Sequence, residues 1–236
     1  MKNPLLAVNN IHTYYDRSHI LQGINLEIYS GEVVILIGRQ GAGKTTTLLS
    51  IMGIQPSKNG SILFAGKEIA GKPSWEIARL GIGLIPENRR IFPDLTVAEN
   101  LEVAMKSAIG GYNKRSAYGD FPELYPLRDR PAQNLSGGEQ QMLTIARTLM
   151  GNPKLLLMDE PTEGLAPLLV KRIAESMVRL RDRGQTLLIT GHNITFAFDL
   201  GDRAYIIDTG TIEWSGEMKQ LREQPEILER YLALSN

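Results

Sequence analysis

The sequence predicts an α/β fold: a mostly parallel core sheet, an antiparallel β part near the N-terminus, and a helical lobe inserted between strands of the sheet. Three observations predict it. Short β-rich runs fill the first part of the chain. Later apolar runs of strand length alternate with helical patterns, which is the order of a parallel sheet with crossover helices. Between residues 87 and 151 the pattern is helical, with Gly and Pro between the helices.

The first part of the chain contains four predicted strands and one helix. Each strand is a short run of aliphatic and β-branched residues. The helix follows a glycine-rich loop and ends at Gly53. The predicted strands are residues 5–11, 24–28, 32–38 and 61–66.

The middle of the chain contains two predicted helices, around 97–108 and 137–150, joined by a segment rich in glycine and proline. We expect residues 87–151 to form the helical lobe. The rest of a single domain spanning 1–236 would form the core lobe, from residues 1–86 and 152–236.

The last part of the chain returns to strands. A strand at 154–158 precedes a helix from about 167 to 183 that Gly184 closes, and a second strand follows at 186–190. The runs RAYIID and TIEW, with a turn around 208–210, predict a hairpin, and a short helical tail comes after it.

Composition excludes several classes of function. The 236 residues include 26 Lys+Arg and 26 Asp+Glu, so nothing marks a nucleic-acid partner. No run approaches the roughly 20 apolar residues of a membrane-crossing helix, so any link to a membrane would go through a partner. The chain has no cysteine, which excludes disulfides and thiolate metal sites.

The segment GRQGAGKT at 38–45 fits the phosphate-loop pattern G-x-x-x-x-G-K-[ST], between a predicted strand and a predicted helix. Glycines let successive backbone N–H groups turn inward, and the helix N-terminus adds partial positive charge. Lys44 would reach the β- and γ-phosphates, and Thr45 would bind Mg²⁺. Kinases, GTPases and many ATPases share this loop. The predicted nucleotide-binding residues are Gly38, Arg39, Gln40, Gly41, Ala42, Gly43, Lys44, Thr45 and Thr46.

The run LLLMDE at 155–160 is an apolar strand that ends in two carboxylates. A buried strand would carry Asp159 to the edge of the sheet where the phosphate loop opens, so that it could hold Mg²⁺ through water. Glu160 is the candidate general base for the water that attacks the γ-phosphorus. Alone, such a strand end would indicate an acidic turn; the phosphate loop upstream favours the catalytic interpretation.

The segment NLSGGEQQMLTIARTLM at 134–150 resembles the signature of the ABC ATPases, LSGGQ, which appears here as LSGGE. Ser136 and Glu139 also fit a capping box, the standard start of a helix. The resemblance covers almost the whole chain and implies ATP and Mg²⁺ as cofactors. It also implies that Ser136, Gly137, Gly138 and Glu139 cover ATP held by an opposite subunit, so that two nucleotides lie between two such chains.

The same resemblance assigns two further residues. His192, in ITGHN, matches the family's switch histidine and would contact the γ-phosphate. Tyr15 matches the aromatic residue that stacks on adenine, although Tyr14 lies directly beside it.

Three positions depart from the usual family pattern. Glu87 stands where a glutamine is usual; it could still approach Mg²⁺ and the attacking water, but an ionised carboxylate cannot donate a hydrogen bond. Ala166 stands where the loop after the acidic strand usually ends in Asp. Glu139 replaces the last glutamine of the signature.

Three longer strings resemble the ATPase subunit of branched-chain amino acid importers, the LivF type, a bacterial group that includes urea and amide importers. They are PENRRIFPDLTVAENL, LSGGEQQMLTIARTLM and DEPTEGLAP. The resemblance implies a peripheral subunit on the cytoplasmic face of the inner membrane. Its partners would be membrane permease subunits, a second ATPase subunit, identical or merely similar, and indirectly a periplasmic solute-binding protein. His192 departs from this group, which typically has Gln there.

Two alternatives remain open from the sequence. Single-cassette ABC ATPases also serve iron–sulfur cluster assembly and lipopolysaccharide export, and only the branch-level strings separate them from this chain. Types with two cassettes or long coiled coils are disfavoured, because the chain has one cassette and no heptad run.

The apolar residues Ile91, Phe92 and Leu95 would either receive a permease helix or fill the core of the helical lobe.

Overall fold

The computed structural model describes residues 3–105 and 111–232. The strands are β1 (Leu6–Tyr15), β2 (Ser18–Ile28), β3 (Val33–Ile37), β4 (Asn59–Phe64), β5 (Lys67–Glu68), β6 (Ile82–Ile85), β7 (Leu155–Met158), β8 (Thr186–Gly191), β9 (Arg203–Asp208) and β10 (Thr211–Glu217). The helices are α1 (Lys44–Ile51), α2 (Ser74–Leu80), α3 (Val97–Val103), α4 (Lys114–Asp120), α5 (Gly137–Leu149), α6 (Pro167–Asp182), α7 (Ile194–Leu200), α8 (Met218–Arg222) and α9 (Pro225–Leu232).

The core is a six-stranded sheet in the order β10-β9-β3-β8-β7-β6. Strands β9, β3, β8, β7 and β6 run parallel, and β10 adds an antiparallel edge. The carboxyl ends of β3, β8, β7 and β6 are therefore neighbours at one edge of the sheet. In an open α/β sheet that edge is where ligands bind.

Both faces of this sheet are covered, because its residues alternate between two apolar cores. Val33, Ile35 and Ile37 belong to the core that includes residues of α3, α5 and α6. Val34 and Leu36 belong to the core that includes residues of β1, β2 and α1. Parallel strands that are buried on both faces appear in a sequence as continuous apolar runs, and the run VVILI therefore predicts β3 correctly.

The second sheet is antiparallel, in the order β2-β1-β4-β5. Strands β1 and β2 are both longer than predicted, because they continue to a two-residue turn at Asp16 and Arg17, across which Tyr15 pairs with Ser18. The aromatic and β-branched residues of TYY extend the strand up to that turn. Tyr15 consequently lies at the very end of a strand.

Helices α3, α4 and α5 lie between β6 and β7 in the chain. The helix predicted at 97–108 ends at Val103, where Met105 N–H bonds the carbonyl of Glu102 in a tighter turn. Residues 106–108 of that prediction lie outside the described part of the chain. In 3–105 and 111–232, no helix is long and apolar enough to cross a membrane.

Candidate nucleotide-binding site

The phosphate loop connects β3 to α1 at the shared edge of the sheet. Gly41 and Gly43 have φ angles of 79° and 113°, left-handed values that glycine adopts without steric cost. Gly38 lies so close to β9 that a Cβ there would be 2.4 Å from the carbonyl oxygen of Ile207. The loop therefore takes a shape that side chains at these positions would oppose.

The ammonium group of Lys44 is held at the mouth of this loop. Its side chain is buried, with the residue 6% exposed. Nζ donates to the carbonyl oxygens of Gly38 at 2.8 Å and Arg39 at 3.1 Å, and it lies 3.0 Å from Oε1 of Glu160. The charge is thus positioned by the chain itself, next to the backbone N–H groups of the loop.

Asp159 follows β7 and is almost completely buried. Its Oδ1 accepts hydrogen bonds from Oγ1 of Thr190 at 2.8 Å and Oγ1 of Thr45 at 3.1 Å. Burial raises the pKa of Asp159, and the two hydroxyl hydrogen bonds oppose that shift. A desolvated carboxylate beside a hydroxyl is a suitable oxygen pair for Mg²⁺, so Thr45 and Asp159 fit the expected metal.

Glu160 faces a different direction from Asp159. Its φ of 43° is left-handed, which strains a non-glycine residue and is common at functional sites. Its N–H donates to Oγ1 of Thr190 at 3.0 Å, which fixes the backbone. Its carboxylate lies between Lys44 and His192, with Oε2 3.2 Å from Nδ1 of the imidazole.

His192 follows β8, the strand between β3 and β7. Its second nitrogen, Nε2, lies 3.4 Å from Oε2 of Glu163, in the loop after β7. The sequence does not single out Glu163. The available signal was a second acidic residue three positions after Glu160, but strand order, which the sequence does not reveal, brings it to the histidine.

These groups border one open cleft of about 600 Å³, a size typical of small-molecule sites. The cleft brings together most of the predicted nucleotide-binding and catalytic residues. The residues that line it are Tyr15, Ile20, Arg39, Gln40, Gly41, Gly43, Lys44, Thr45, Thr46, Glu87, Glu160, Glu163, His192 and Leu232.

Three of these lining residues, Ile20, Glu163 and Leu232, are not indicated by any pattern in the sequence.

Three predicted residues lie just outside the lining. Gly38 and Asp159 reach the cleft through their bonds to Lys44 and Thr45. Ala42 is buried below the loop, where its carbonyl oxygen accepts from Gly210 N–H at 2.9 Å. Ala42 thus supports the loop from below, whereas Gly38 and Asp159 act at the cleft through Lys44 and Thr45.

Tyr15 and Tyr14 differ clearly in their surroundings. Tyr15 is 42% exposed and lines the cleft. Tyr14 instead stacks on His19, with ring centroids 4.2 Å apart and planes 7° from parallel, and Lys58 Nζ lies 4.6 Å from its ring centroid. Of these two tyrosines, Tyr15 is therefore the one whose ring is available to a ligand in the cleft.

We therefore expect Tyr15→Ala to weaken ATP binding by about 1 kcal/mol, or roughly fivefold, through loss of aromatic stacking. Tyr14→Ala is the matched control, which should lower the melting temperature and leave the Kd unchanged. Titration calorimetry with a non-hydrolysable ATP analogue measures both. A larger loss of affinity in Tyr14→Ala would contradict the assignment.

The signature residues are not among the described residues that line this cleft. Ser136 begins α5 in a capping box: its N–H donates to Oε2 of Glu139 at 2.7 Å, and Glu139 N–H donates to Oγ of Ser136 at 3.4 Å. A Cβ on Gly137 would lie 2.8 Å from Arg89, and one on Gly138 would lie 2.5 Å from a methyl group of Leu169. The glycines thus allow close packing around the N-terminus of α5, outside the lining of the chain's own cleft.

Glu87 follows β6 and connects the cleft to a neighbouring pocket of about 380 Å³. The loop after it is strained, since Arg89 and Arg90 both have left-handed φ angles. Helix α5 holds this loop: Oγ1 of Thr144 donates to the carbonyl oxygen of Arg89 at 2.7 Å, and Arg147 donates to that of Arg90. The loop that begins after Glu87 is therefore hydrogen-bonded directly to the signature helix at Arg89 and Arg90.

A glycine-rich loop between a buried parallel strand and a helix, with an adjacent acidic strand end, defines a P-loop nucleotide-hydrolysing protein. The ABC transporter family model matches residues 21–163, more than half of the chain, and the chain belongs to this family. It is an ATP-binding ATPase subunit that works in transport.

Individual relatives agree on the class and differ in the substance that their systems transport. The chain is 39% identical over 97% of its length to the high-affinity branched-chain amino acid transport ATP-binding protein BraG of Pseudomonas aeruginosa, covering 99% of that protein. It is 34% identical over 97% of its length to the lipopolysaccharide export system ATP-binding protein LptB of Haemophilus influenzae, covering 97% of that protein.

Solved structures agree on the fold. The ADP conformation of MJ1267, an ATP-binding cassette of an ABC transporter, matches with a TM-score of 0.83 and 28% identity over all of both chains. The dimeric structure of MJ0796, a bacterial ABC transporter cassette, matches with a TM-score of 0.79 and 26% identity over 90% of this chain and 98% of that one.

Proposed function

We propose that this chain powers the uptake of a small polar solute, a branched-chain or other hydrophobic amino acid. The observation that carries the proposal is the 39% identity to BraG over nearly the whole of both chains. The strings around Glu87, Ser136 and Glu160, which resemble the same branch, support it. Urea or amide uptake is an alternative within that branch.

Lipopolysaccharide export is the second candidate. It is supported by the 34% identity to LptB over a similar length. The difference in identity favours amino-acid uptake. The solute itself is recognised by other chains in such transporters, so the cleft of this chain does not distinguish the two candidates.

In the proposed reaction, water attacks the γ-phosphorus of ATP, the bond to the bridging oxygen of the β-phosphate breaks, and ADP and phosphate leave. Glu160 accepts the proton of the water, and His192 orients that carboxylate and contacts the γ-phosphate. Lys44 neutralises charge on the β- and γ-phosphates. Thr45, Asp159 and Glu87 would hold Mg²⁺, which would supply positive charge against the negative charge of the phosphates.

The proposed active unit is a dimer, identical or of two similar subunits. It is supported by the position of Ser136, Gly137 and Gly138 at the N-terminus of α5, outside the lining of the chain's own cleft. The N–H groups at that tip suit a γ-phosphate carried by a second subunit. The dimeric cassette with a similar fold also supports this arrangement.

The proposed contact with the permease subunits lies next to Glu87, in the helical lobe that we assign to residues 87–151. Phe92 is 45% exposed, with the guanidinium of Arg147 4.8 Å from its ring centroid. Ile91 is partly buried against the chain's own core, and Leu95 is also only partly exposed. Phe92 is thus the best candidate of the three for contact with a partner.

The subunit would be peripheral, on the cytoplasmic face of a bacterial inner membrane, and a periplasmic binding protein would act through the permeases.

Uptake by a deletion strain tests the proposed solute. A strain of the source organism without this gene should take up labelled leucine, isoleucine and valine slowly. The wild-type gene should restore uptake, and Glu160→Gln should not. Normal uptake of these amino acids together with loss of lipopolysaccharide from the cell surface would favour export, and loss of urea uptake alone would favour the related branch.

A further inference from the structure

Four charged or ionisable side chains follow one another across the cleft. Lys44 Nζ lies 3.0 Å from Glu160 Oε1, and Glu160 Oε2 lies 3.2 Å from His192 Nδ1. His192 Nε2 then lies 3.4 Å from Glu163 Oε2. We name these four residues the cleft relay.

The first three members of the cleft relay have roles in the proposed reaction, and Glu163 has none. Its carboxylate faces Nε2, the ring nitrogen that Glu160 leaves free. A γ-phosphate in contact with the ring would need that same nitrogen, because Nδ1 already faces Glu160. Phosphate oxygens and the Glu163 carboxylate are therefore competitors for one nitrogen.

We propose that Glu163 is a positioning residue: it holds His192 in the nucleotide-free cleft and releases it when a γ-phosphate arrives. The proposal rests on the proposed contact between His192 and the γ-phosphate. Glu160, Glu163 and His192 each place one polar atom within 4.8 Å of the others, and the proposal needs no ion among them, because each carboxylate contacts its own nitrogen of the ring.

The position of Glu163 fits such an exchange. Glu163 is about half exposed, and it lies in the loop between β7 and α6, so its side chain can turn into solvent. Glu160 is much less exposed and is fixed through its backbone to Thr190. Of the two carboxylates on the imidazole, Glu163 is the one that can leave at small cost.

The exchange makes the site distinguish ATP from ADP. The γ-phosphate of ATP replaces the Glu163 carboxylate as the partner of His192 Nε2, whereas ADP has no γ-phosphate to do so. An ion pair between exposed side chains contributes little free energy. Loss of the pair between Glu163 and His192 should therefore change the affinity for a triphosphate by only a few fold. Glu163→Gln should therefore lower the Kd for the triphosphate analogue AMP-PNP about threefold and leave the Kd for ADP unchanged. In turnover, KM for ATP should fall while kcat stays the same.

Two controls separate this contact from a general effect of charge. Glu175→Gln removes the same charge from an exposed position on α6 outside the cleft, and should change neither Kd. Glu163→Asp keeps the charge but shortens the side chain beyond reach of Nε2, so it should act like Glu163→Gln. If Glu163→Gln tightens ADP as much as AMP-PNP, the effect is electrostatic attraction of phosphate in general, and the proposal is wrong.

The decisive experiment combines Glu163→Gln with His192→Ala in calorimetric titrations of AMP-PNP and ADP. We expect His192→Ala alone to weaken AMP-PNP binding, and Glu163→Gln to have no further effect in its presence. If the effect of Glu163→Gln persists without the imidazole, Glu163 does not act through His192. If His192→Ala binds AMP-PNP as the wild type does, the proposed role of His192 fails, and the role of Glu163 fails with it.

Discussion

Glu160→Gln should bind ATP normally and lose turnover, with kcat lower by about 10³-fold, because the variant has no group to accept the proton of the attacking water. The amide can keep a hydrogen bond to His192, and the backbone bond to Thr190 is unaffected. Removal of the carboxylate also frees the ammonium of Lys44 from its ion pair. Affinity for ATP should therefore be preserved, and an ATP-bound dimer should accumulate.

Steady-state phosphate release, ATP titration and size-exclusion chromatography with and without ATP measure these effects. Glu175→Gln is the matched control, because it makes the same change of charge on an exposed face of α6. Hydrolysis at the wild-type rate in Glu160→Gln would refute the assignment of the general base. Loss of ATP binding in the same variant would instead show that the Lys44 contact supports the empty loop.

The phosphate loop, the acidic strand and the signature helix could all be predicted from sequence, because local residues determine each of them. Gly41 and Gly43 supply the left-handed turns of the loop, and Ser136 with Glu139 supplies a complete capping box. Buried parallel strands appear as apolar runs, so β3, β7 and β8 were also predicted. The family resemblance then identified Tyr15, Glu87 and His192, and the structure places all three at the cleft.

Short elements and contacts between distant segments could not be predicted in this way. Strand β6 has only four residues, and sequence patterns predicted neither it nor the seven-residue helices α2, α4 and α7. Helices of this length depend on tertiary packing, although Asn113 and Asn193 were usable N-cap signals for α4 and α7. The contact of Glu163 with His192 depends on β7 and β8 being neighbours in the sheet.

The position of the C-terminal helix α9 could not be predicted from the sequence either. Leu232 lines the cleft, and Arg39 of the phosphate loop donates to the carbonyl oxygen of Arg230 at 3.2 Å. A tail predicted only as a short helix gives no indication of where it packs. Only the folded chain brings that helix to the nucleotide site.

Lys44→Ala should lose most of the affinity for ATP, by about 3 kcal/mol or on the order of 100-fold, because the variant lacks the charged donor to the β- and γ-phosphates. The empty loop should still form, since Gly41 and Gly43 keep their turns and Gly38 stays packed on β9. The carbonyl oxygens that Lys44 satisfies would then bind water through the open cleft.

Thermal unfolding with and without ATP separates these two effects. A ligand stabilises the folded state by RT ln(1 + [L]/Kd), so ATP should raise the melting temperature of the wild type and barely change that of Lys44→Ala. Lys67→Ala, which removes an exposed lysine from β5, should keep the full response to ATP. If Lys44→Ala unfolds cooperatively and gains as much stability from ATP as the wild type, the phosphates are bound elsewhere, and the proposed site in this cleft is wrong.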